Sequence, residues 1–209
     1  MCFSLAEFHA QTAVEAAEII FGQLKAKGKS AVDIAEVACR TNEACLRIID
    51  KQFKSMDNFA DRDHCIQYMC SVMLVFGRLQ ATDYEDGSDA ATSPVVESLR
   101  KKMRCLEDSS FTADYHHPSR RFISNALSVR LNDGTLLDEV IVKAPLGHRS
   151  RRDEAKPQIF AKYARHIEPH FTKATSKRLF ELAANSSELL SMSIDEYVDL
   201  YIVEQSPFL

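Results

Sequence analysis

The densest apolar run in the chain lies between Asn58 and Leu79. Ile66, Met69, Cys70, Met73 and Phe76 fall there at helical spacings, and Cys65, Val72 and Leu74 widen the apolar face. The pattern predicts one helix, capped by Asn58 with Asp61 three residues on. Asp61, His64, Tyr68 and Ser71 then stand at i, i+3, i+7 and i+10, a single polar stripe. Such a stripe is costly unless its groups find partners or face a cavity. It reads either as a satisfied core tyrosine with a surface histidine, or as the lining of a ligand cleft.

The same periodicity places a long amphipathic helix at the start. Ser4 and Glu7 form a capping pair, Ala10, Ala13, Val14, Ala17, Ile20, Phe21 and Leu24 make the apolar side, and Gly28 supplies a left-handed stop. With nothing upstream to cover it, that small-residue face is expected to be exposed and to drive association. A strand is predicted around Glu36 to Arg40, then a short helix from Glu43 to Ile49 capped by Asn42. The acidic, turn-rich stretch 80–93 reads as an exposed loop, and Ser93-Pro94 opens another helix. Cys105 to Asp108 reads as a short strand and Ser109 to Arg121 as a polar loop.

Residues 123–131 alternate apolar and polar, Asn132-Asp133-Gly134 turns the chain, and Leu136 to Lys143 returns as the partner strand. The basic loop 145–152 feeds a helix from about Asp153, with Pro157 expected in its first turn. Further helices follow over 172–184 and from Ser193, whose capping partner is Glu196; the tail 204–209 is expected to fray. Helices, a few strands, then helices is the order of an α+β fold, with helices packed around a small antiparallel sheet containing a β-hairpin.

Composition narrows the class. The 209 residues suffice for a substantial core, and 45% hydrophobic with 27% charged describes a globular chain. A net charge of −4 argues against a general nucleic-acid binder, and no apolar run is long enough for a membrane span. Six cysteines without a CxxC pair, mostly inside apolar patterns, read as reduced thiols. The absence of a signal-like or Arg-rich start makes the cytoplasm the default location, with the mitochondrial matrix open to a longer precursor.

No nucleotide-binding glycine loop, nucleophile elbow or HExxH occurs. His166 and His170 are four apart but separated by Pro169, which reads as a surface pair rather than a metal site. Two groups of residues suit anion binding and proton transfer. Arg149, Arg151 and Arg152 crowd a glycine-containing loop at a helix start, either an anion site or a solvated basic loop. His9, His64, Tyr68 and His148 carry side chains able to move protons.

Several blocks then point to one family. AEFHAQTAVEAA (6–17), ADRDHCIQYM (60–69), FGRLQATDYED (76–86), CLEDSSFTADYH (105–116), SNALSVRLNDGT (124–135), PLGHRSRRDEAKP (145–157) and MSIDEYVDLYIV (192–203) closely resemble the MmgE/PrpD family. The likeness runs from Ala6 to Val203 and maps the whole chain, 1–209, onto the family's C-terminal domain; the large all-helical N-terminal domain has no counterpart. The resemblance implies a hydro-lyase that needs neither metal nor cofactor. It would remove water from 2-methylcitrate or a related alkylcitrate in propionate catabolism, giving the cis-aconitate analogue. Such chemistry needs a base, an acid and cations for three carboxylates.

In this family the active site lies between the two domains. The resemblance implies Tyr68 as a catalytic residue; the residue pattern adds His64 beside it and makes His9, His148, Arg149, Arg151 and Arg152 the candidate substrate-binding residues. The family also has a Lys that would align near Met1, and no Lys precedes Lys25 here. A homodimer, or a separate helical-domain chain, is the implied partner. The alternative is a non-catalytic binding or dimerisation domain of the same family that needs such a partner.

Overall fold

Residues 5–202 are described in the structure, a computed structural model. The expectations for Cys2, for Ser4 as a cap, for the lysine position near Met1 and for the tail 204–209 lie outside those residues. The chain divides into two units, one ending at Arg151 and one beginning at Arg152.

The first unit is built on a four-stranded sheet of β1 (Ile34–Thr41), β2 (Met103–Glu107), β3 (Asn125–Leu131) and β4 (Val140–Val142), ordered β2-β1-β3-β4. β3 pairs antiparallel with β4, as the hairpin pattern predicts, with Gly134 left-handed (φ 86°) in the turn, and its other edge pairs antiparallel with β1. The sheet is mixed rather than purely antiparallel, because β2 joins β1 in parallel, Cys39 opposite Cys105. A helical crossover between β1 and β2 makes that orientation possible. Alternation along β1 buries Val37, Cys39 and Thr41. The intervening positions carry ion pairs, Glu36 with Arg104 and Arg130, and Arg40 with Asp108 and Glu139.

Among the described residues seven α-helices accompany the sheet: α1 (Gln11–Ala26), α2 (Glu43–Ile49), α3 (Phe59–Asp63), α4 (Ile66–Phe76), α5 (Asp89–Thr92), α6 (Pro94–Lys102) and α7 (Ser109–His116). The Asn42 cap of α2 is realised, its side-chain oxygen accepting from the Cys45 amide at 3.0 Å. α1 packs on α4, β3 and β4, and α4 packs on α6. Ala10, Ala13, Ala17 and Ile20 are therefore fully buried. The expected exposed small-residue face does not exist, because the chain's own α4 and sheet cover it. Short side chains allow that close approach.

Three further expectations are corrected. The single helix over 58–79 is two, because Cys65 is extended and its thiol accepts the Tyr68 amide at 3.4 Å as the cap of α4. The 80–93 stretch is not all exposed: Asp83 and Tyr84 are buried, Asp83 held by Arg78 and by the Gln80 amide. Residues 109–116 are helical rather than loop, since Asp108 accepts the Ser110 amide at 2.9 Å and caps α7.

The second unit contains α8 (Arg152–Ile167), α9 (Lys173–Ala184), α10 (Ser186–Ser191) and α11 (Ile194–Asp199). Thr172 caps α9, and Ser193 with Glu196 forms the expected capping box on α11. Pro157 sits beyond the first turn of α8, inside the helix, because α8 begins at Arg152. No helix among the described residues is long and apolar enough to cross a membrane.

Candidate functional site

The candidate site of the first unit begins with Glu7. Both oxygens of its carboxylate are taken by His9: Oε2 accepts the His9 amide at 2.7 Å and Oε1 faces Nδ1 of the ring at 2.9 Å. This arrangement turns residues 8–10 into a single 3-10 turn leading into α1. Burial by itself would raise Glu7, but the hydrogen bonds from the His9 ring and amide, with Coulombic attraction to the histidines, outweigh it. The carboxyl is held below its ordinary range.

The turn is anchored from two sides. Tyr84 donates to the Leu5 carbonyl at 2.9 Å. From β3, Asn125 donates through Nδ2 to the His9 carbonyl at 2.9 Å and to Thr12 Oγ1 at 2.7 Å, while Thr12 donates to the Ile123 carbonyl at 2.5 Å. His9 itself is 7% exposed, and its second ring nitrogen, Nε2, lies 3.2 Å from the Tyr115 hydroxyl at the end of α7.

Tyr68 and His64 do not share a helical face. His64 terminates α3, half exposed, with Nδ1 2.5 Å from Asp63. Tyr68 lies in α4, 2% exposed, and its hydroxyl donates to the Asp83 carbonyl at 2.5 Å. Its ring packs on Tyr84 at 6.1 Å between centroids. Burial drives its pKa up to about 12, with Arg62 opposing and Asp83 reinforcing. At neutral pH it is a proton donor whose hydrogen bond is committed to main chain. Ser71 is buried too, and its hydroxyl has no partner among the described residues. The helix break at His64–Cys65 is what separates these groups; a continuous helix would have aligned them.

The basic loop is tied down differently from the sequence expectation. His148 links it to the segment after α7, Nε2 meeting the Arg120 carbonyl at 2.9 Å and Nδ1 meeting Ser150 at 2.8 Å, with the ring on Phe122. Arg151 is bound by Glu15, while Arg149 and Arg152 are exposed. Arg121 has a left-handed backbone (φ 52°), a conformation that costs about 1–3 kcal/mol for a residue with a side chain and marks a constrained turn. Among the described residues no group of three His, Cys, Asp or Glu side chains is placed to hold a metal ion.

Glu7, Thr12, Tyr115 and Asn125 are the structural partners that residue patterns do not single out as site residues. Glu7 is legible as a cap, but its double contact with His9 is not. Tyr115 lies 106 positions from His9, and no local spacing reports such a contact.

The sequence matches the family model described as the MmgE/PrpD C-terminal domain over residues 5–188. It is 48% identical over 197 residues to "2-methylcitrate dehydratase, mitochondrial" of Yarrowia lipolytica, covering 94% of this chain and 37% of that protein. Against "2-methylcitrate dehydratase" of Escherichia coli K12 it is 46% identical over 198 residues, covering 95% and 40%. Against "2-methylcitrate dehydratase-like protein oryR" of Aspergillus oryzae it is 40% identical over 203 residues, again covering 95% and 40%. The chain therefore spans about two fifths of the length of the curated relatives it matches.

Proposed function

The chain belongs to the MmgE/PrpD family, and we propose that it forms the C-terminal part of a hydro-lyase that removes water from 2-methylcitrate or a related alkylcitrate. The observation that carries this reading is identity of 46–48% over nearly the whole chain to proteins named 2-methylcitrate dehydratase. In this proposal the chain acts as one family domain, 1–209, across both of its units.

The chemistry divides among the residues described. Loss of water needs a proton taken from the carbon next to a carboxylate and a proton given to the departing hydroxyl. His64, half exposed and hydrogen-bonded to Asp63, is suited to accept and return a proton. Tyr68, neutral because its pKa stands near 12, suits a donor role, and it must leave the Asp83 carbonyl to reach a substrate. Arg149, exposed on the loop that His148 holds in position, is a guanidinium group for a carboxylate, and Arg152, the first residue of the second unit, is exposed as well. Substrate binding by His9 and Arg151 would be indirect, since Glu7 and Glu15 occupy them. The partner proposed is the helical portion found in the longer relatives or a second copy of this chain. Strongly exposed Leu190, Ile194 and Ile202 in the second unit favour association of some kind.

A second reading, a non-catalytic binding or dimerisation domain, draws on the same two engaged residues. One assay separates them. Purified chain is given 2-methylcitrate, alone and with a separately produced helical portion of the Escherichia coli relative, and the absorbance of the conjugated alkene is followed. Product formation under either condition supports the dehydratase. Tricarboxylate binding by calorimetry, with no product under both conditions, supports the binding domain.

A further inference from the structure

Glu7, His9 and Tyr115 stand in line, and the proton positions along that line follow from donor and acceptor counting. An ionised carboxylate can accept but not donate, so the His9 nitrogen facing Glu7, Nδ1, carries a hydrogen. In neutral His9 the other nitrogen, Nε2, then has a lone pair, and the hydroxyl 3.2 Å away must donate to it. The order is carboxylate, imidazole, phenol: an orienting acid, a base, and a group whose proton the base can take. It is the arrangement by which hydrolases activate a hydroxyl, with a phenol in the outer place.

Accessibility decides which member can meet a ligand. Glu7 spends both oxygens on His9, and His9 is 7% exposed with both nitrogens engaged. Tyr115 is half-buried at the end of α7. It precedes by a few positions the segment with exposed Arg121, whose backbone is left-handed. The line is rigid at its inner end, where Asn125 and Tyr84 fix the main chain on either side of Glu7.

We infer that Tyr115 is a further catalytic residue of this site, the phenol that exchanges a proton with the hydroxyl group of a hydroxy-tricarboxylate, with His9 and Glu7 as its positioning residues. The inference rests on the dehydratase reading for its substrate and on the three-residue line for its chemistry. In the dehydration direction the Tyr115 O–H proton passes to the hydroxyl as its C–O bond breaks, and water leaves. The phenolate regains a proton from solvent, equivalent to the one the reaction takes from carbon, while His9 stays neutral with Nε2 as the acceptor to which the restored hydroxyl returns. No charge or electron is left over.

The test has a structural arm and a kinetic arm. Nitrogen-15 NMR of the purified chain reads the His9 tautomer, with neutral His9 expected as the Nδ1–H form. Glu7→Gln is expected to shift the population toward Nε2–H. Citrate, used as a tricarboxylate probe, is expected to move the His9 Nε2 resonance in the unsubstituted protein and not in Tyr115→Phe. In the dehydration assay Tyr115→Phe is expected to lower kcat by about 10²–10⁴-fold while KM stays within about twofold. An Nε2–H tautomer in the unsubstituted chain, no response to saturating citrate, or an unchanged kcat in Tyr115→Phe overturns the inference. An unsubstituted protein without turnover sinks the dehydratase reading, and the tautomer and citrate responses then decide the line by themselves.

Discussion

Arg151 grips Glu15 with both terminal nitrogens, at 2.7 and 2.9 Å, and gives a further hydrogen bond to the Ala144 carbonyl at 2.7 Å. A guanidinium read from sequence as a ligand for substrate is thus a clasp between the basic loop and α1. Both side chains are about one-fifth exposed, so the pair is screened less than a surface bridge.

Arg151→Ala is therefore expected to lower stability by about 1.5–3 kcal/mol, the range for hydrogen bonds to charged groups. Urea denaturation measures it. Citrate affinity should fall less in Arg151→Ala than in Arg149→Ala/Arg152→Ala, where the exposed guanidinium groups are removed; the reverse order would return Arg151 to the ligand site.

Glu7 sets an acid dependence with a definite sign. Its folded pKa lies below the ordinary 4.5, so the stabilisation it contributes is present above that pH and is lost as pH falls through the lower folded value. The gap in Tm between the unsubstituted chain and Glu7→Gln should be widest near neutral pH and close as the buffer is taken below pH about 4. A gap that stays constant with pH would mean that Glu7 has no preference for the charged form.

Tyr68 gives the opposite limb. Its pKa is raised from 10 to about 12, so the folded chain holds the phenolic proton longer than the unfolded one, and stability falls as pH rises through that interval. Tyr68→Phe should cost about 0.5–1.5 kcal/mol at neutral pH through the lost bond to Asp83. Relative to the unsubstituted chain, it should also be less sensitive to alkali. Chemical denaturation across pH about 9 to 12 checks both statements.

Gly77 ends α4 in a left-handed conformation (φ 66°), and a Cβ there would lie 2.5 Å from the Phe21 ring of α1. Gly77→Ala combines that backbone strain with a contact that forces Phe21 to move. A loss of about 2–4 kcal/mol is expected by thermal denaturation. Pairing it with Phe21→Ala should recover part of the loss, which isolates the steric component.

Much of the fold is written locally. Asn42, Ser93-Pro94, Thr172 and Ser193 each mark a helix start by chemistry confined to a few neighbours, and Asn132-Asp133-Gly134 marks the hairpin turn in the same way. The errors come where a distant partner decides. The small-residue face of α1 looks bare in sequence because its cover, α4 and the sheet, comes from residues far along the chain. One error is local instead: α4 begins at Ile66 because the Cys65 thiol caps it, a role outside the usual list of capping residues. The candidate site divides in the same way. His9, His64 and Tyr68 are visible as residue types suited to proton transfer. Glu7 and Asp63 are near sequence neighbours of the histidines they bind, whereas Tyr115 and Asp83 are brought to His9 and Tyr68 by tertiary placement.

The most direct measurement is a chimera. Replacing the matched segment of 198 residues of the Escherichia coli relative by this chain keeps the rest of that protein covalently attached. Turnover of 2-methylcitrate is then followed by the absorbance of the alkene product. The account predicts a chimera that dehydrates 2-methylcitrate within about tenfold of its parent, since a tenfold loss corresponds to only ~1.4 kcal/mol of transition-state stabilisation. A chimera that folds, binds tricarboxylate and forms no product would contradict it.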